Sequence, residues 1–237
     1  MADGLTLRGT LHLPDAPLPA VVIGCHGLLS DRHSPKQIAL AAACNRLGLA
    51  FFRFDHRGCG ESEGRLEEVT SLESRASDLL QAMEYLRDRG DLGKRIGIFG
   101  SSMGGAVGLR VAGEREVATL VVFAAPVRSR PLNAAAREPE GSPETRRMAA
   151  VLRDEFDLGP VLTRVRNVLV FHGEADAVVP VSHAHEIFRC AVAPKRLIIQ
   201  KNGDHLMSDP GHQGEFICEA SLWLSKGLRS SIVVSRR

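Results

Sequence analysis

Residues 95–106 read RIGIFGSSMGGA, and one serine in this stretch, Ser102, has glycine two positions before it and two after it, Gly100 and Gly104. Ser101 has Phe99 and Met103 at the same offsets, so only Ser102 fits the G-x-S-x-G pattern. A serine at a sharp bend between a strand and a helix holds strained backbone geometry and points its hydroxyl outward. Side chains two residues to either side would collide across the bend, hence the glycines. Such a hydroxyl is a poor nucleophile at neutral pH. It needs an imidazole to take its proton, and the imidazole needs a carboxylate to fix its tautomer and stabilise its charged form. A Gly-rich turn also satisfies the pattern, so the rest of the chain has to supply the partners.

The elements that would position them can be read in order. Leu5–Leu13 alternates apolar and polar residues, the signature of a strand with one wet face near a sheet edge. Ala20–Cys25 is continuously apolar, as a strand buried on both faces should be, and ends in His26-Gly27-Leu28-Leu29. Ser34-Pro35-Lys36-Gln37 predicts a helix start with Ser34 as cap, Ile38, Ala41, Ala42 and Leu47 inward, and Gly48 ending it. Leu49–Phe54 is a second buried strand, followed by the loop DHRGCGESEG. Thr70 and Glu73 predict a capping box for a helix with Leu72, Ala76, Leu79, Leu80, Met83 and Leu86 inward. After the strand to Gly100 and a helix to about Gly113, a buried strand is expected at Val117–Ala125 and further strands at Asn167–Phe171 and Arg196–Gln200. Helices are expected near Ser182–Val192 and from Asp209-Pro210 onward. Val127–Thr163 breaks the rhythm, with one helical piece near Met148–Phe156, and the tail SSIVVSRR has no clear place.

Apolar strands alternating with helices argue an α/β fold with a mainly parallel sheet covered by helices on both faces. Ligands in such sheets sit at the carboxyl ends of the strands. Three reactive residues lie just past strand ends: Ser102, Asp176 in HGEADAVVP, and His205 in NGDHLM.

The 237 residues, 44% of them apolar, suit one globular domain, 1–237, with a sizeable core. The net charge of +2 without long runs of one sign makes no electrostatic case for nucleic acid or an anionic membrane surface. No apolar run reaches the length of a membrane span, and the N-terminus lacks the basic and apolar regions of a signal peptide. The five cysteines are scattered and never in C-x-x-C spacing, which fits a reduced, cytoplasmic protein. Oligomeric state leaves no trace in the sequence.

Taken together, the anchors resemble an α/β-hydrolase of the small esterase and serine-aminopeptidase-like (feruloyl-esterase-like) type. They are His26-Gly27, Asp55-x-Arg57-Gly58-x-Gly60-x-Ser62, the Ser102 bend, His172-Gly173-x-x-Asp176-x-x-Val179-Pro180 and Gly203-Asp204-His205. The resemblance runs from about Leu5 to Ser225. It implies Ser102 as nucleophile, His205 as base and then acid, and Asp176 as the orienting carboxylate. It also implies oxyanion donors from the N–H of Met103 and the N–H of Leu28. The loop here carries a single glycine where some lipases have HGGG, which disfavours bulky tertiary-alcohol esters. Residues 127–163 sit where the family inserts a lid, here a short one. Its arginines (Arg128, Arg130, Arg137, Arg146, Arg147 and Arg153) suit a solvated surface or attract acidic substrates. The implied activity is hydrolysis of small-molecule acyl esters with no cofactor and no metal. A peptidase, thioesterase or acyltransferase on the same triad, and a non-catalytic interaction protein on the fold, are the alternatives. Dehalogenase and dienelactone-hydrolase relatives carry Asp or Cys where this chain has Ser102.

Other reactive residues have structural readings. Asp204 suits a turn bond in its own loop. The resemblance implies a structural brace for Asp55, His56 and Arg57, and His26 and His172 suit bonds to backbone. His183 and His185 point to different helix faces and cannot share a metal as an i, i+4 pair can. Cys59 has no helper at a recognisable spacing.

Overall fold

The computed structural model describes residues 4–129, 151 and 155–229. Among these, seven strands form one sheet: β1 (Gly9–His12), β2 (Val21–Cys25), β3 (Ala50–Phe54), β4 (Ile96–Ser101), β5 (Thr119–Phe123), β6 (Arg166–Gly173) and β7 (Val192–Gln200). Their spatial order is β1-β3-β2-β4-β5-β6-β7. Only the β1–β3 pair is antiparallel; the rest of the ladder is parallel, as continuous apolar strands joined by helices require. Every residue of β2 and β5 is buried.

The helices among the described residues are α1 (Pro35–Arg46), α2 (Leu66–Val69), α3 (Leu72–Asp88), α4 (Met103–Ala112), α5 (Gly159–Leu162), α6 (Ser182–Cys190) and α7 (Pro210–Arg229). They cover both faces of the sheet. On one, Met83 and Leu86 of α3, Val107 of α4 and Ile187 of α6 close over Ile23, Ile98 and Val122. On the other, Leu40 of α1 and Phe216 of α7 close over Phe51, Phe99, Phe123 and Phe171. The Phe216 ring lies 5.2–6.2 Å from three of those rings, and burying one such side chain is worth about 2–3 kcal/mol.

Several local expectations are corrected. Ladder pairing in β1 begins at Gly9, not Leu5, because residues 6–8 bond instead to the loop after β3. Thr6 and Glu63 exchange bonds, the Arg8 amide donates to Ser62 Oγ (2.9 Å) and the Asp55 amide donates to Arg8 O (2.9 Å). In α1 the buried face is Gln37, Leu40, Ala41 and Cys44, while Ile38 is 44% exposed. Gln37 fills the space left by the missing side chain of Gly24, so the helix is rotated from the expected face and Gln37 takes no part in a cap. Ser34 occupies the cap position without a side-chain bond. Helix α3 is capped by Ser71, not Thr70. Ser71 Oγ accepts from the Ser74 amide (2.9 Å), and Ser74 Oγ accepts from the Ser71 amide (2.8 Å). Thr70 and Glu73 are engaged elsewhere, with Arg75 and Arg110.

The two ends of the 127–163 stretch run antiparallel to one another. Arg128 bridges Asp157, the Ser129 amide donates to Phe156 O (3.2 Å), and the Leu158 amide donates to Val127 O (2.9 Å). Phe156 therefore belongs to an extended neck and not to a helix. Glu155 beside it is outside any helix too, and the remainder of the expected Met148–Phe156 helix, apart from Val151, lies outside the described residues, as do Arg130, Arg137, Arg146, Arg147, Arg153 and the tail from Ser230.

Ser71→Ala removes one half of a reciprocal cap and is expected to lower unfolding stability by about 1 kcal/mol in a urea titration. An unchanged midpoint would show that tertiary packing alone holds the first turn of α3.

Candidate active site

Ser102 sits between β4 and α4 with φ 52° and ψ −121°, a conformation that L-residues with side chains rarely adopt. Neighbours hold it there. The Ser102 amide donates to Phe123 O at the end of β5 (2.8 Å), and Ser102 O accepts from the Gly105 and Ala106 amides (2.8 and 3.2 Å). The bend brings backbones together. A methyl group on Gly100 would fall on the Gly104 carbonyl, and one on Gly104 would fall on the carbonyls of Cys25 and His26. So glycine at these two positions lets α4 start directly against the end of β2.

A second close approach joins the other two loops. A methyl group on Gly173 would overlap the Gly203 carbonyl, and the Ala175 amide donates to Gly203 O (2.9 Å). The loop after β6 is thus laid against the loop after β7. Asp176 and His205 meet there: His205 Nδ1 is 2.8 Å from Asp176 Oδ2, and His205 Nε2 is 3.1 Å from Ser102 Oγ. Ionised Asp176 can only accept, so Nδ1 carries the proton and the lone pair of Nε2 faces the serine.

Asp176 is fixed from several directions. Its Oδ1 accepts from the Val178 and Val179 amides (2.9 and 2.8 Å), while Oδ2 also lies 3.3 Å from His172 Nε2. Burial pushes its carboxyl up, but bonds from His172, His205 and the Val179 amide outweigh burial and hold it well below the usual carboxylate range. It remains an anion throughout the neutral range. Asp204 instead accepts from the Ser208 amide (2.8 Å), a turn bond within its own loop.

The loop after β2 lies beside the serine, since a methyl group on Gly27 would sit 3.6 Å from Ser102 Cβ. Leu28 is buried, and Met103 is the first residue of α4.

The first part of the chain, residues 16–157, matches the family model described as Hydrolase_4, serine aminopeptidase, S33. The chain belongs to this α/β-hydrolase family. An uncharacterized protein of Mycobacterium tuberculosis is 31% identical over 215 residues, covering 88% of this chain and 70% of its own length. In fold, the chain is similar to Est1E from Butyrivibrio proteoclasticus, solved with ferulic acid bound (19% identity, TM-score 0.77, 96% of this chain and 98% of that one). It is also similar to the Pyrococcus furiosus esterase Pf2001 (20% identity, TM-score 0.80, 94% and 87%). The family match contains Ser102 and the loop after β2 but ends before Asp176 and His205, so the meeting of those two with the serine rests on geometry.

In this hydrolase, Asp55, His56 and Arg57 form part of a buried brace. Asp55 accepts from the Arg32 and Glu61 amides (2.7 and 3.0 Å) and pairs with the Arg32 guanidinium. Arg57 bonds Asp78 through Nε and Nη2 (2.9 and 2.7 Å). His56, whose pKa burial lowers to about 4, stands neutral 3.3 Å from Asp78. Asp78, Arg32 and Arg75 carry no local signal in the sequence; they sit in helical or loop contexts where charged residues normally face water. His172 Nε2 bonds Val179 O (2.8 Å) and His26 Nδ1 bonds Gly27 O (2.7 Å), so both meet backbone. His183 is buried and accepts from the Val127 amide (2.9 Å), while His185 is exposed on the opposite face. Among the described residues no group of three or more His, Cys, Asp or Glu is arranged to hold a metal ion.

Gly104→Ala is expected to lower stability by about 3 kcal/mol or more, because two backbone carbonyls cannot yield to the added methyl group. Gly90→Ala, at an open position, is expected to melt within about 0.5 kcal/mol of the parent. Equal melting temperatures for the two variants would contradict the close approach of α4 to β2.

Proposed function

We propose that this chain is a serine hydrolase that cleaves small-molecule carboxylic esters through an acyl-serine intermediate. One observation carries the reading: a single imidazole, His205, lies within hydrogen-bond distance of both Ser102 Oγ and the Asp176 carboxylate, and with Nδ1 donating to that carboxylate its Nε2 is free to accept. His205 takes the Ser102 proton as Oγ attacks the acyl carbon, then gives it to the departing alcohol. A water activated in the same way releases the acid. Asp176 stabilises the transient imidazolium. The developing oxyanion is held by the N–H groups of Met103, one of the unsatisfied amides at the start of α4, and of Leu28. This cycle uses no metal or cofactor.

The similarity to solved esterases supports ester substrates. The cysteines at 25, 44, 59, 190 and 218 are all free, which supports a reducing compartment such as the cytoplasm. No described helix is long and apolar enough to cross a membrane. We further propose that residues 1–237 form one domain in which 127–163 is a short lid.

A fluorophosphonate probe is expected to label the wild-type chain and not Ser102→Ala. Absence of labelling on folded wild type would sink the proposal. A panel of acyl esters, thioesters and aminoacyl amides then ranks the substrates, with esters expected to turn over fastest.

The carboxylate assignment has its own test. Asp176→Asn favours the wrong tautomer of His205 and is expected to cost roughly 10⁴-fold in turnover, as in other triads. Asp204→Asn keeps an acceptor oxygen for the Ser208 amide and is expected to stay within tenfold of wild type. The reverse ranking would make Asp204 the triad acid.

A further inference from the structure

Arg75, on the first turn of α3, is fully buried. Burying a guanidinium is costly unless it is paired, yet among the described residues no carboxylate accepts a hydrogen bond from this one. Asp78, one turn along the helix, is engaged by Arg57 and His56. The Arg75 donors meet two carbonyls of the loop after β2, a thiol and a hydroxyl instead. Nη1 donates to Gly27 O (3.3 Å), Nη2 to Leu28 O (3.0 Å) and to Cys59 Sγ (3.2 Å), and Nε to Thr70 Oγ1 (2.8 Å).

We propose that Arg75 is a positioning residue for the oxyanion site: by gripping the carbonyls on both sides of Leu28 it holds the Leu28 N–H toward an acyl oxygen at Ser102. The inference rests on the serine-hydrolase reading above and deepens it. In a trans peptide the C=O and N–H point in opposite directions, so anchoring Gly27 O turns the Leu28 N–H the other way. Gly27 O also accepts from His26 Nδ1 (2.7 Å). That imidazole can donate there because its Nε2 already accepts from the His56 amide (3.0 Å). His26 fixes only the peptide before Leu28. Arg75 touches the peptides on both sides, which sets the backbone of Leu28 itself. The position of Gly27 against Ser102 places this peptide at the reacting centre.

A donor aimed at charge that develops only during reaction contributes to kcat and not to ground-state binding. The predicted signature is therefore a split between kcat and KM. The experiment follows p-nitrophenyl acetate hydrolysis by the full chain, together with inhibition by an alkyl trifluoromethyl ketone, whose serine adduct carries an oxyanion. Arg75→Met keeps an unbranched side chain without the charge. It is expected to lower kcat by about 10–100-fold, somewhat less than outright loss of one oxyanion donor, with KM within about threefold. Inhibitor affinity should fall by a similar factor, and the acid limb of the kcat/KM profile should not move, because Arg75 does not touch His205. Folded Arg75→Met with wild-type kcat, with a loss confined to KM, or with a displaced acid limb would overturn the proposal. If Arg75→Met does not fold, Arg75→Lys decides. Its single ammonium replaces the two-armed grip, so a smaller loss in kcat at constant KM is expected, and wild-type kcat overturns the proposal. Wild-type chain that neither hydrolyses the ester nor binds the ketone would instead overturn the hydrolase reading, and this inference with it.

Discussion

The arrangement depends on one backbone contact, the start of α4 pressed against the carboxyl end of β2. Gly104 meets the carbonyls of Cys25 and His26 with no side chain between them. That contact sets Ser102 beside Gly27 and places the loop after β2 at the amino end of α4. It also accounts for the unusual backbone of Ser102, since a relaxed turn would lift α4 away from β2. The unfavourable geometry, of the order of 1–3 kcal/mol for a residue in such a region, is outweighed by the bond from its amide to β5 and by burial of α4 across the sheet.

The sheet order makes this contact useful. β4 lies between β2 and β5, and β6 and β7 follow on the β5 side, so the ends of β4, β2, β6 and β7 supply the serine, the loop beside it, the carboxylate and the imidazole. Parallel strands put all these ends on one edge. Loops at that edge have irregular backbones whose polar groups need partners once buried. The partners are charged side chains from beneath: Asp55 and Arg32 tie the loop after β3, Asp78 ties Arg57 and His56, and Arg75 ties the loop after β2. Such buried charges add little net stability, but losing one member leaves its partner stranded at a cost of about 3–5 kcal/mol. They act as locks on loop geometry more than as sources of stability.

Much of this was legible in the sequence because the signals were local. Continuous apolar runs mark strands buried on both faces, and their alternation with helical stretches predicts the parallel sheet. Gly100 and Gly104 mark the bend, because only glycine tolerates the backbone approach there. The positions of Asp176 and His205 just past strand ends follow from the same pattern. Asp204 reads as a turn residue from its place in the NGDH loop, and it makes that turn bond.

Tertiary structure decided what depends on partners far away in the chain. The inward face of α1 follows Gln37 filling the gap over Gly24, a contact that the apolar periodicity of the helix cannot show. The cap of α3 falls on Ser71 because Thr70 is drawn to Arg75 and Glu73 to Arg110. Residues 5–8 continue the alternation of β1, but Thr6 and Arg8 bond to Glu63 and Ser62, more than fifty residues away, and the segment leaves the ladder. The burial of Arg75 and Asp78 was invisible for the same reason. A charged residue on a helix normally faces water, and only the packing of α3 under the loops after β2 and β3 surrounds these two with acceptors and donors. Strand, bend and strand-end positions are set by residues within a few places of one another, so sequence determines them; loop-to-loop bonds are set by the sheet order that brings remote segments together.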